Sequence, residues 1–282
     1  MEANLNAQIF EQNLQTMELP EKRNGAFRKI FTISRNAFRE AVRDRVLYNL
    51  VLFVLLITAA AIFLGDLTNG HEARTIVNLG LSAMLLFGAF ISIFVGVSLV
   101  SKEIEKRTVF AIFAKPIKRS EFIVGKYLGL CLTLLVNVIV MGVGVSLALL
   151  YVGGNNLAFS IWGAIFLIFL ELTILTATAI LFSSFSSPAL SALLTFFVFV
   201  IGHFSSSLRD LAQALGSTAA RVFFEVLYYI LPNLSHFSFI ANSAHGDVPN
   251  GAMIGGATLY AVVYVSILLT ISILIFSRRN FK

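Results

Sequence analysis

The chain has 282 residues, of which 57% are hydrophobic and only 13% charged, and its mean hydropathy is +0.86. Average soluble proteins carry roughly 25% charged residues, and charge-free stretches of the length found here have no water-compatible fold. A soluble enzyme, a disordered tail, a disulfide-stapled secreted domain and a collagen-like chain are thereby excluded, leaving a membrane protein whose formal net charge of +6 acquires meaning only when mapped along the chain.

Residues 1–25 are polar, with Glu2, Glu11, Glu18 and Glu21 ahead of any apolar run. They read as a flexible cytoplasmic extension without a cleavable signal peptide. Residues 26–45 read as an amphipathic helix. At 100° per residue Phe27, Ile30, Phe31, Phe38, Ala41 and Val42 share one face, and Arg28, Lys29, Arg35, Arg39 and Arg43 the adjoining one. The pattern predicts a helix lying in the membrane interface, its basic residues on anionic headgroups and its Phe residues in the acyl boundary. Packing of that helix on the protein's own spans is a compatible second role.

From residue 46 onward the chain is a six-span transmembrane domain, 46–282. A helical crossing takes roughly 20 residues, so the longest charge-free stretches must be divided. Gly153, Gly154, Asn155 and Asn156 form one turn signal, and the polar run 183–188 forms another. The predicted spans are 46–65, 76–100, 127–152, 157–182, 188–205 and 251–276, all helical because backbone groups in lipid must bond within their own segment. Of the 21 Lys and Arg residues, 18 fall in the termini and the even-numbered connections; the exceptions are Arg74, Arg209 and Arg221. The positive-inside rule then places both termini and residues 101–126 in the cytoplasm, and residues 66–74, the Gly-Gly-Asn-Asn turn and residues 206–250 outside. The basic excess is topology and lipid contact, not a nucleic-acid surface.

Residues 101–126 are too polar to embed and too patterned for a mere turn. Ser101 is suited to cap a helix that carries both charge signs and becomes apolar at Val109, Phe110, Ile112 and Phe113, with Lys115 and Pro116 breaking it. Ser120, followed by Glu121, is suited to cap the helix of the third span. A short cytoplasmic helix with an apolar tip is what a groove on a soluble partner would grip; a loop lying on lipid is the alternative. In the outward segment 206–250, Ser217 opens a predicted helix over 218–231 that Pro232 ends, suited to an interfacial or lid role.

Inside the membrane, Glu171 is the only carboxylate within a span. A charged form there is costly, so it is a candidate substrate or proton site, or a hydrogen-bonded packing residue partnered by Thr173, Thr176 or Thr178 of a neighbouring copy. His71, His203, His236 and His245 map outward, but no pair has ligand spacing on one helix, and no metal site is assigned. Cys131 lies in an apolar stretch and reads as packing. Gly125-x-x-x-Gly129 and Gly251-x-x-x-Gly255 are candidates for close helix contacts.

Three segments together carry a resemblance. They are Ile-Ser-Arg-Asn-Ala-Phe-Arg-Glu-Ala-Val-Arg-Asp-Arg-Val-Leu at 33–47, Ser-Lys-Glu-Ile-Glu-Lys-Arg-Thr-Val-Phe at 101–110, and Ala-Lys-Pro-Ile-Lys-Arg-Ser-Glu-Phe-Ile-Val-Gly-Lys-Tyr-Leu-Gly at 114–129. The chain resembles permease subunits of type-two ABC exporters, and within them the branch of copper-enzyme-maturation permeases. The resemblance implies an inner-membrane half-transporter that pairs with a second copy or a related permease. It further implies that residues 101–115 form a coupling helix docking in a cytoplasmic ABC ATPase through Glu103, Glu105, Lys106, Arg107, Phe110 and Pro116. ATP and magnesium would sit on that partner: the chain has no Gly-x-x-x-x-Gly-Lys-Ser/Thr loop, Gly125 and Lys126 being followed by Tyr127, and is expected to bind no cofactor and to be no enzyme itself. An extracytoplasmic accessory protein is a further possible partner. A channel, secondary carrier or scaffold independent of ATP is the competing reading, which gives residues 101–126 nothing to dock and would be expected to embed more ionisable groups than Glu171 alone.

Overall fold

The computed structural model describes residues 24–41, 72–105, 118–205 and 228–278, with isolated helical positions between 52 and 63 and between 222 and 226. In chain order the helices are α1 (Asn24–Ala41), α2 (Glu72–Glu105), α3 (Arg119–Tyr151), α4 (Asn155–Ser160), α5 (Trp162–Ser183), α6 (Pro188–His203), α7 (Ile240–Ala244) and α8 (Gly251–Arg278), with a 3₁₀ turn at Leu234–Phe237. No strand occurs among the described residues. Among the described residues four segments are long and apolar enough to cross a membrane: Glu72–Leu99, Arg119–Tyr151, Asn155–Ser183 and Gly251–Arg278. The fifth predicted span is the 16-residue α6, about 24 Å long at 1.5 Å per residue against a hydrocarbon core of about 30 Å. The first predicted span, 46–65, lies outside the described residues apart from its isolated helical positions.

At the centre stands α5, which packs against α2, α3, α6, α8 and the 3₁₀ turn. Apart from Glu171, three threonines and the final Ser183 its sequence is apolar all round, and its most apolar stretch is 78% buried against 28% for that of α8, the signature of a helix enclosed by protein rather than lying at a surface. By contrast α8 has one inward stripe, Ala257, Ala261, Val265, Leu268, Ser272 and Phe276, spaced by three and four residues as a single helical face requires. Close approach is set by small residues. A side chain at Gly88 of α2 would collide with Leu172 of α5, and one at Gly142 of α3 would lie 2.9 Å from Ile165 Cδ1.

The two turns read from the sequence are present, each with its own chemistry. After α3, Gly153 takes φ +82; its N–H donates to Leu150 O, and Gly154 N–H donates to Leu149 O, which is a Schellman ending that only an achiral residue reaches cheaply. Between α5 and α6, Ser186 N–H donates to Phe182 O, and Pro188 occupies the first turn of α6, where its missing N–H is no loss.

Both predicted serine caps are corrected. No break occurs at Ser101: α2 continues through it to Glu105, because no Gly or Pro interrupts the run, and the Ser101 hydroxyl is buried without a hydrogen-bond partner among the described residues. The cap of α3 is Lys118, two residues before Ser120. Glu121 nevertheless does what was expected of it, accepting the Lys118 N–H at 3.0 Å in the free first turn. Part of the segment 206–250 packs onto the bundle. The 3₁₀ turn buries Leu234 and Phe237 against α5 and α6, and α7 packs on α2.

Candidate functional site

The segments flanking the predicted docking loop converge at one end of the bundle. There α2 ends at Glu105 and α3 begins at Arg119. Glu103 and Glu105 belong to the last turns of α2 by backbone, whereas Lys106, Arg107, Phe110 and Pro116 lie outside the described residues. The end of α8 is at the same place, since Arg119 Nη1 donates to the carbonyls of Phe276 at 2.8 Å and Ser277 at 2.7 Å. A guanidinium there satisfies orphan carbonyls and complements the negative end of the helix dipole.

Against the start of α3 lies α1, held by backbone proximity and charge. An added Cβ at Gly125 would stand 2.7 Å from Ile33 Cγ2, and one at Gly129 2.6 Å from both Ala37 Cβ and Ser34 O. Between those glycines Lys126, 6% exposed, places Nζ 3.3 Å from Glu40 Oε2 and 5.8 Å from the centre of the Phe122 ring. The first and third of the quoted sequence segments are thus the two sides of one helix contact. The face of α1 that packs is that of Ala37 and Ala41, while Phe27 and Phe31 are 77% and 62% exposed. Arg28, Arg35 and Arg39 are exposed and Lys29 is half-buried; Arg43 lies outside the described residues. Sequence reading had Gly125-x-x-x-Gly129 as a close-contact candidate and missed that α1 is its partner. Among the described residues nothing lies within 4 Å of a Cβ added at either glycine of the other motif, Gly251-x-x-x-Gly255.

At the opposite end, the start of α2, the Gly153–Asn156 turn and the end of α7 surround a cavity of about 660 Å³ lined by Arg74, Asn155, Asn156 and His245. The connections that the charge count assigned to one side of the membrane therefore share one end. A second cavity, about 380 Å³, lies between the 3₁₀ turn and α8 and is lined by His236, Met253, Gly256 and Tyr260.

Glu171 is 1% exposed on the central helix, and within the chain its nearest polar neighbour is not one of the threonines. Thr173, Thr176 and Thr178 hydroxyls donate to carbonyls of their own helix, those of Leu170, Leu172 and Ile174. Instead Glu171 Oε1 lies 3.3 Å from His203 Nε2 of α6. Sequence reading grouped His203 with the outward histidines and missed this pairing. A signal existed: Glu171 and His203 lie at comparable distances on either side of the 183–188 turn, so antiparallel helices bring them to similar heights. Among the described residues no three His, Cys, Asp or Glu side chains are grouped as metal ligands.

A family model described as ABC-2 family transporter protein matches residues 31–280. No curated protein matches the chain.

Proposed function

Because the chain belongs to the ABC-2 transporter family and is on that ground a multi-pass membrane permease of an ABC transporter, we propose that it works as a six-span exporter half in the inner membrane, driven by a separate cytoplasmic ATPase. Family membership across 31–280 is the observation that carries this reading. The basic residues give the orientation: with 18 of 21 Lys and Arg on one side, both termini and residues 101–126 face the cytoplasm.

In this reading residues 101–115 dock in the ATPase through Glu103, Glu105, Lys106, Arg107, Phe110 and Pro116. Closure of the nucleotide-binding subunits pushes on this segment, and the push favours one packing of the spans over another. Two features support transmission into the membrane: α2 runs unbroken from its span to Glu105, and α3 starts at Arg119 clamped to α1 and α8. The basic side chains of α1 rest on anionic headgroups. Two copies, or this chain with a related permease, form the full transporter, and any relation to copper-enzyme maturation would lie in what it carries.

The test is affinity purification of the tagged full chain from mild detergent, with ATPase activity assayed on wild type and on a Glu103→Ala, Phe110→Ala double variant. An ATPase that co-purifies with wild type and is lost from a normally folded variant is the expected result. Equal retention by both would overturn the docking assignment, and no ATPase with either would overturn the ATP-driven reading.

A further inference from the structure

His203 closes α6, and Glu171 is near the middle of α5. Counting 1.5 Å per residue from the turn joining the two helices, Glu171 stands roughly 18 Å above Ser183 and His203 roughly 22 Å above Pro188. They meet well inside the bundle, on the side away from that turn. His203 is the more accessible partner, its side chain 26% exposed against 1% for Glu171.

The hydrogen bonding fixes how protons are distributed. His203 Nδ1 lies 3.1 Å from Phe199 O; a carbonyl only accepts, so Nδ1 carries a hydrogen. Nε2 therefore faces Glu171 Oε1, 3.3 Å away, either with a bare lone pair or with a second N–H. As placed, neither atom makes a hydrogen bond, to the other or to any described group, and both are buried; their 3.3 Å separation is an ion-pair distance. A bare lone pair against an ionised carboxylate in a low-dielectric interior is repulsive and leaves a net charge buried. One proton between the two atoms removes both penalties, whichever atom holds it.

We propose that Glu171 and His203 form an intramembrane proton-binding site joining α5 to α6, filled and emptied through His203 from the end of the bundle where α6 finishes. The proton comes from water, and no other bond changes. With one proton the pair is neutral and the helices are joined. Losing it sets a carboxylate against a lone pair, and gaining a second leaves a buried cation beside a carboxyl group, so occupancy and the packing of α6 on α5 are linked.

Neighbouring titratable groups are otherwise engaged. His236 of the 3₁₀ turn faces Asn233 and the Tyr260 ring. The hydroxyls of Tyr260 and Tyr264 on α8 pair with Asn233 N–H and Ile230 O. On α3, Tyr127 is in hydrogen-bond contact with Cys131, and the described charged side chains of α2, Glu72 and Arg74, stand at its first turn. Among the described residues no ion pair other than His203 is recorded for Glu171.

The experiment uses the full chain in lipid nanodiscs over a pH series, with histidine-ring nitrogen NMR and infrared detection of the carboxyl C=O stretch. Wild type, Glu171→Gln and His203→Gln are compared after confirming that each runs as a folded species. The expected result is a single titration seen from both residues, with Nδ1 protonated throughout. In Glu171→Gln the His203 midpoint moves by about one pH unit or more, a tenfold change in proton affinity, and in His203→Gln the Glu171 carboxyl band changes its frequency or its midpoint. An unchanged His203 midpoint in Glu171→Gln overturns the proposal; should that variant fail to fold, an unchanged Glu171 band in His203→Gln does so alone.

Discussion

One methyl group suffices to measure how tightly α1 sits on α3. Gly129→Ala would put Cβ 2.6 Å from Ala37 Cβ and from the backbone oxygen of Ser34, neither of which is the free end of a flexible side chain. Helix propensity alone favours Ala over Gly by about 1 kcal/mol, whereas overpacking typically costs about 1–3 kcal/mol. The expected outcome is a net loss of stability, read as a lower thermal midpoint in detergent. Gly256→Ala is the counterpart, since its Cβ meets none of the described residues within 4 Å; there propensity acts unopposed and the midpoint is expected to hold or rise. Such a difference between two helical glycines is invisible in sequence, where both stand in apolar helices, because it depends on which neighbour approaches.

At the scale of elements, sequence periodicity and turn chemistry located the long helices and both tight turns. Span length, Gly153 and Pro188 are local signals that bonding within one segment enforces. The serine caps failed for a related reason, since a cap signal is local too: at Ser101 a helix already under way passes through it, and at Ser120 the helix has started one residue earlier, behind Lys118. Least legible were contacts between elements distant in sequence. Arg119 was read only as a topological charge, yet it bonds the last carbonyls of α8. Hydrogen bonds from charged groups contribute about 1.5–3 kcal/mol, so Arg119→Gln is expected to fray the end of α8, seen as faster amide exchange at residues 274–278 with the middle of the helix unchanged. The packing of Leu234 was likewise unread in the sequence. The residue is fully buried, and its Cγ would stand 2.8 Å from a Cβ added at Gly202, so Leu234→Ala should cost about 2–4 kcal/mol in equilibrium unfolding.

For the whole molecule the open question is what covers α8. Its most apolar stretch is only 28% buried, and Leu259, Val262, Ile267 and Leu274 are more than half exposed, which lipid alone would satisfy. Lipid, however, gives no reason for Gly251 and Gly255, one helical turn apart with none of the described residues within 4 Å of an added Cβ at either; glycines so placed suit the backbone of another helix, whose association in lipid depends on close van der Waals packing. If the permease pairs through this face, Gly255→Cys in a Cys131→Ala background forms a disulfide-linked dimer when oxidised in native membranes. Ile139→Cys, on the exposed face of α3, is expected to remain monomeric under the same oxidation. Equal cross-linking at both positions would mean random collision, and none at Gly255 would leave this face of α8 to lipid and move the pairing surface elsewhere.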